Sequence, residues 1–152
     1  MDFIFGQRAN AWFDTCDIRV SAPGGSITAS GRGAADENSY YVINKCTVAA
    51  ASDGHGVGAG TVTLGRPWRP YARVAFQETS LSEIVSAKGW LDSMSGKASS
   101  REMEFGEFGN SGPGSRGKRA GFVKELKQAV AIGDVLGRGY QSAGWVDKAY
   151  LS

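Results

Sequence analysis

"WFDTCDI" at residues 12–18 and "VINKCTV" at residues 42–48 share one pattern, apolar, apolar, polar, polar, Cys, polar, β-branched, offset by 30 residues. An offset of that size is the length of one turn of a solenoid, in which each coil lays its strands about 4.8 Å above those of the last. Stacked in that way, the two segments place Cys16 over Cys46, with Cα atoms within about 7 Å, the span that a disulfide bridges. The thiols could be buried and free or joined between coils.

The surrounding sequence has the same texture. Short apolar or alternating runs recur at Phe3 to Phe5, Asp17 to Val20, Ser26 to Ser30, Tyr40 to Ile43, Thr61 to Leu64, Arg73 to Gln77 and Glu102 to Phe108, separated by Gly, Asn, Asp and Ser. Twenty-two glycines against four prolines, without a collagen period, mark a turn-rich chain. Only "FVKELKQAV" at 122–130 has helical spacing. These runs predict an all-β chain with a helical or irregular patch near its C-terminus. The 152 residues read as a single domain.

Charge and composition narrow the function classes. Seventeen basic and fifteen acidic residues give a net charge of +2, and the only dense basic cluster is "RGKR" at 116–119. A phosphate-binding face needs more concentrated charge, so no nucleic-acid partner is expected. No apolar run is long enough for a membrane-crossing helix, and no basic-then-apolar leader opens the sequence. The single histidine, His55, lies in the glycine-rich "DGHGVGAG" and lacks the G-x-S-x-G elbow that a serine hydrolase would use. The pairs Asp14/Asp17 and Glu104/Glu107 have a spacing of three, which in a strand sends side chains to opposite faces, and they read as solvated.

Two stretches call for chemistry. "LGRPW" at 64–68 sets an arginine and a tryptophan on either side of a proline whose fixed φ presents both rigidly, and "DFIFG" at 2–6 places a carboxylate at the head of an apolar run. Together with "CDI" at 16–18, "SITASGR" at 26–32, "GWL" at 89–91, "GEFGNSGPGS" at 106–115 and the closing "GWVDKAYL", in that order, they resemble the carboxyl-terminal half of the pectin methylesterase (pectinesterase) family over nearly the whole chain.

The resemblance implies a right-handed parallel β-helix that removes methyl groups from esterified polygalacturonate. Asp2 would be the nucleophile and Arg66 would hold it ionised and oriented. Phe5, Trp68 and Trp90 would line the saccharide cleft, offering apolar faces to the C–H faces of sugar rings. No metal or other cofactor is implied; the partner is methyl-esterified pectin, and the setting is secreted, at the cell wall, where the cysteine pair could oxidise. Two positions depart from the family pattern: Ser30 stands where a longer motif carries glutamine, and Ser93 where a second aromatic often follows "GWLD". The family's second aspartate, a general acid and base, and its oxyanion glutamines lie upstream of "DFIFG". Residues 1–152 thus read as a partial catalytic domain that needs an upstream half for full activity. Alternatives are a non-catalytic pectin-binding module derived from that enzyme and, less well matched because "LGRPW" belongs to neither, a pectate lyase or polygalacturonase.

Overall fold

The computed structural model describes residues 2–92 and 102–150. Strands follow one another in threes. Asp2–Gly6 (β1), Asn10–Asp14 (β2) and Asp17–Val20 (β3) form one coil; Ser26–Ser30 (β4), Tyr40–Asn44 (β5) and Thr47–Ala50 (β6) form the second; Thr63–Pro67 (β7), Arg73–Gln77 (β8) and Ser80–Leu81 (β9) form the third. Glu104–Phe108 (β10) and Lys124–Glu125 (β11) extend one face further. Every pairing is parallel and joins a strand to its counterpart one coil away, giving sheets ordered β1-β4-β7, β2-β5-β8-β10-β11 and β3-β6-β9. This is a right-handed parallel β-helix.

Columns of stacked side chains fill the interior. Ile18, Val48 and Leu81 are register partners, as are Phe13, Ile43 and Phe76, and as are Tyr41, Val74 and Phe105. Most of these are fully buried in one cluster that also holds Cys46. The pattern that the repeat exposed in sequence is the corner between the second and third sheets. Thr15, Lys45, Glu78 and Gly109 all take a left-handed backbone conformation there, with φ of 52°, 52°, 49° and 60°. The residue after each of the first three donates its backbone N–H to the next coil: Cys16 to Cys46 Sγ at 3.3 Å, Cys46 to Thr79 Oγ1 at 3.2 Å, and Thr79 to Asn110 Oδ1 at 3.0 Å. A side-chain ladder runs beside it, with Asn44 Nδ2 donating to Asp14 Oδ1 at 2.5 Å and Gln77 Nε2 to Asn44 Oδ1 at 2.7 Å. Cys16 and Cys46 therefore sit at equivalent positions of neighbouring coils, and both are free thiols.

The C-terminal segment departs from the expected helix at 122–130. Lys124 and Glu125 instead pair with Gly106 and Glu107, and Leu126 donates its N–H to Glu107 O. Nine residues are too few to hold a helix against an open strand edge that supplies hydrogen bonds. Gln77 then fixes the chain beyond: its amide donates to Val130 O at 3.2 Å and accepts from Val130 N at 2.8 Å. A short helix, Ile132–Leu136 (α1), follows, and Val130, Val135 and Leu136 cover the apolar outer face of the second sheet at Tyr40, Val42 and Ala75.

Candidate active site

The first sheet carries the site. In register, Phe5 on β1 lies beside Ala29 on β4, and Ala29 beside Arg66 on β7. Strands two apart are separated by roughly 9.6 Å, so any contact between β1 and β7 must cross β4. Ala29 presents only a methyl group on that path. Arg66 crosses it: Nε donates to Asp2 Oδ1 at 2.7 Å and Nη2 to Asp2 Oδ2 at 2.5 Å, a two-pronged pair in which the fork of the guanidinium matches both carboxylate oxygens. The Asp2 and Arg66 side chains are 14% and 26% exposed, shielded yet open to a ligand. The hydrogen bonds that Arg66 donates to Asp2 raise its pKa above the ordinary value against the opposing effect of burial, so the pair stays charged on the arginine side.

Aromatic groups flank it. Phe5 and Trp68 are 51% and 40% exposed and meet edge to face, with ring centroids 5.2 Å apart. The Arg66 guanidinium lies 5.6 Å from the centre of the Trp68 ring, within cation–π range. Pro67 ends β7, a strand at the sheet's edge where its missing N–H is tolerated, and Trp68 donates its own N–H to Ser30 O at 2.9 Å. The motif "GRPW" thus fixes the directions of the arginine and tryptophan around one rigid proline. On its other side Asp2 borders a mostly apolar hollow of about 240 Å³, walled by Phe3, Ile18, Pro23 and Ile27.

Trp90 does not share this cleft, contrary to the sequence expectation. It is 1% exposed, stacked on Phe105 with centroids 4.6 Å apart and set edge-on to Phe76. The backbone explains this: Trp90 bridges to Gly65 one coil back, which turns its indole beneath β7 and into the core. Ser93, the other departure singled out in this motif, lies outside the described residues.

The expectation that Glu104 and Glu107 are solvated fails for Glu107, whose side chain is 14% exposed, whereas Glu104 keeps 43% exposure while joining an ion-pair network. Glu104 takes ion pairs from Arg32 and Arg73 at 3.1 and 2.9 Å. Arg32, only 6% exposed, further donates to the carbonyls of Ala35, Glu37 and Tyr71. Glu107 occupies the column of Phe13, Ile43 and Phe76, an inward position, and is held by Trp90, Asn110 and Arg119. Arg119 comes from the one basic cluster in the sequence, and its charge is spent inside the fold. The charged partners lie between 12 and 72 residues apart along the chain, so spacing alone gave no signal for either network. Among the described residues, no group of three or more His, Cys, Asp or Glu side chains is placed to hold a metal ion.

The nucleophile candidate and one aromatic wall come from β1, the cation from β7 and the second aromatic wall from the residue that follows β7. A family model described as Pectinesterase matches residues 1–132. The chain is 46% identical to a pectinesterase of Aspergillus niger over all of its own length and 46% of that protein's, and 47% identical to one of Aspergillus aculeatus over 99% and 45%. Among solved structures, the pectin methylesterase of Aspergillus niger superposes with a TM-score of 0.83 at 38% identity, covering 97% of this chain and 46% of that one. The pectin methylesterase from carrot superposes with a TM-score of 0.73 at 28% identity, covering 83% and 41%. The chain spans less than half the length of these relatives, and it belongs to the pectinesterase family.

Proposed function

We propose that residues 1–152 are the carboxyl-terminal part of the catalytic domain of an esterase that removes methyl groups from esterified polygalacturonate, acting outside the cell on wall pectin. The observation that carries this reading is the two-pronged Asp2–Arg66 pair beside the exposed faces of Phe5 and Trp68. Family membership supplies the reaction class, and the geometry supports the assignment of roles.

An Asp2 oxygen attacks the C6 carbonyl carbon of a methyl galacturonate, giving a tetrahedral oxyanion. Collapse breaks the bond to the methoxy oxygen, which takes a proton and leaves as methanol, while Asp2 is held as a mixed anhydride. Water then adds to the sugar acyl carbon, releasing the galacturonate carboxylate and restoring Asp2. Arg66 aligns Asp2 for attack, and its fork takes the carboxylate again at the end of the cycle. Phe5 and Trp68 bind sugar rings through their apolar faces. The proton donor and oxyanion donors are supplied by groups outside these 152 residues. Because one oxyanion donor contributes about 10²–10³ and acid–base assistance about 10²–10⁴, the chain alone is expected to be at least about 10³-fold slower than the complete protein.

Methanol release from highly methyl-esterified polygalacturonate tests this. The complete protein should release methanol, and its Asp2→Asn variant should fall to background with pectin binding retained. Full turnover by Asp2→Asn overturns the nucleophile assignment; pectin binding without turnover in the complete wild-type protein replaces the esterase with a binding module.

A further inference from the structure

The cluster around Glu107 holds more contacts than a single surface ion pair. One carboxylate oxygen accepts from Trp90 Nε1 at 2.9 Å and Arg119 Nε at 2.8 Å; the other accepts from Arg119 Nη2 at 3.1 Å and Asn110 Nδ2 at 3.2 Å. Both acidic and basic side chains are shielded, at 14% and 16% exposure. Arg119 also donates to Gly114 O at 2.8 Å and Ala87 O at 3.2 Å, tying the 112–120 loop to the turn that precedes Trp90. A carboxylate in this setting fixes the rotation of the indole ring, because the Nε1–H must point at Oε1.

That ring bears directly on the first sheet. Leu64 donates to Gly89 O at 2.7 Å and Leu91 to Gly65 O at 3.0 Å, so Trp90 is clipped against Gly65 on both sides. The approach is close enough that a Cβ at residue 65 would lie 2.8 Å from Trp90 Cζ3 and would collide with Thr28 Oγ1. Gly65 is therefore squeezed between the indole and β4, and the next residue along β7 is Arg66.

We infer that Glu107, clamped by Arg119, is a positioning residue: through Trp90 and Gly65 it sets the height of β7 that brings the Arg66 fork onto Asp2. This rests on the proposed roles of Asp2 and Arg66 and goes beyond them, since Glu107 itself lies in the last coil and touches neither. Rotation of the indole after loss of Glu107 would release Gly65, and misplacement of an aligned group by about 1 Å is enough to cost about 10²-fold in rate.

The test uses the Arg66 Nε–H as reporter, read by ¹⁵N NMR of the guanidinium, so that it needs no turnover. In the wild-type chain this proton is hydrogen-bonded to Asp2. In Glu107→Ala its exchange with water should quicken by about tenfold or more, while Glu107→Gln, which keeps an acceptor for Trp90, should stay near wild type. Val48→Ala, a core change in the third sheet that touches no partner of Glu107, serves as the control matched for loss of melting temperature. In the complete protein, Glu107→Ala should lower kcat about 10²-fold with KM within about twofold. An unchanged Arg66 exchange rate in Glu107→Ala, or an equal change in the Val48→Ala control, overturns the inference. Should Glu107→Ala not fold, Arg119→Lys takes its place with the same criterion. A wild-type protein that releases no methanol overturns the proposed function, yet the exchange rates still decide the role of Glu107.

Discussion

The contact between Asp2 and Arg66 can be weighed by a double-mutant cycle, comparing the chain with Asp2→Asn, Arg66→Gln and the double variant in urea unfolding. Exposed ion pairs contribute about 0.2–1 kcal/mol, and hydrogen bonds to charged groups about 1.5–3 kcal/mol. Here two charge-assisted bonds share one pair, with side chains 14% and 26% exposed, which puts the geometry between those limits but nearer the shielded one. A coupling of about 1–2 kcal/mol is expected on those grounds. The pH dependence has a definite sign. The pKa of Arg66 is raised above its ordinary value, so its contribution is present in full through the neutral range and lost only as pH rises through the folded value. Cycles run at pH 6 and pH 9 should agree. Salt should trim the coupling without abolishing it, because the partners are in direct contact. A coupling below about 0.3 kcal/mol would refute the reasoning: Asp2 would then be a frayed terminal carboxylate, and the bridge across Ala29 would be without energetic meaning.

Three further expectations follow from named contacts. The carboxyl of Glu37 has its pKa lowered chiefly by the Gly33 N–H at 2.6 Å, with Arg8 adding to it, so its contribution stands above pH 4.5 and fades as pH falls; melting curves of wild type and Glu37→Gln should differ at pH 6 and draw together as pH falls through the lowered value. Burial pushes the Cys46 thiol up to about 11, so it should resist a thiol-specific disulfide reagent at pH 8 in the folded chain and react at once in urea; the unfolded thiol ionises first, so stability should fall between pH 9 and 11, a loss that Cys46→Ser should lack. Gln77→Ala removes both bonds to Val130 and one to Asn44 from a fully buried site, and should cost about 2–3 kcal/mol, with amide exchange at Val130 quickening more than at Val48.

What the sequence shows and what it hides divide along a physical line. The coil repeat was legible at Cys16 and Cys46 because a solenoid corner imposes the same demands in every turn: a left-handed residue, then a donor seeking a side chain one coil on. The third and fourth coils meet those demands with Thr79 and Asn110 in place of cysteine, so the repeat fades there although the geometry continues. That "DFIFG" and "LGRPW" belong together was legible through the family resemblance, and the contact of Asp2 with Arg66 across β4 agrees with that pairing. Trp90 was misjudged for a reason equally physical. The family resemblance set Trp90 in the cleft, whereas the strand bridge to Gly65 turns it into the core, and that bridge depends on how many residues separate the coils, which varies along this chain.

Glu107 makes the same point from the opposite direction. By alternation it belongs to a half-solvated strand, yet the column that holds Phe13, Ile43 and Phe76 continues to it. An inward carboxylate is tolerable only if its charge is matched and every lone pair finds a donor, since removing one partner of such a pair leaves an uncompensated charge. The chain meets that condition with Arg119, twelve residues further on, and with an indole N–H that would otherwise be an unpaired donor in the core. One interaction thus satisfies Glu107, Trp90 and the loop carbonyls at once. It also makes the last coil sensitive to its own chemistry: replacing Glu107 by leucine would suit the column's apolar character but strand the Arg119 guanidinium and the Trp90 N–H. The polar choice at an apolar position is best understood as a register device, one that fixes which way the indole faces beneath the strand carrying Arg66.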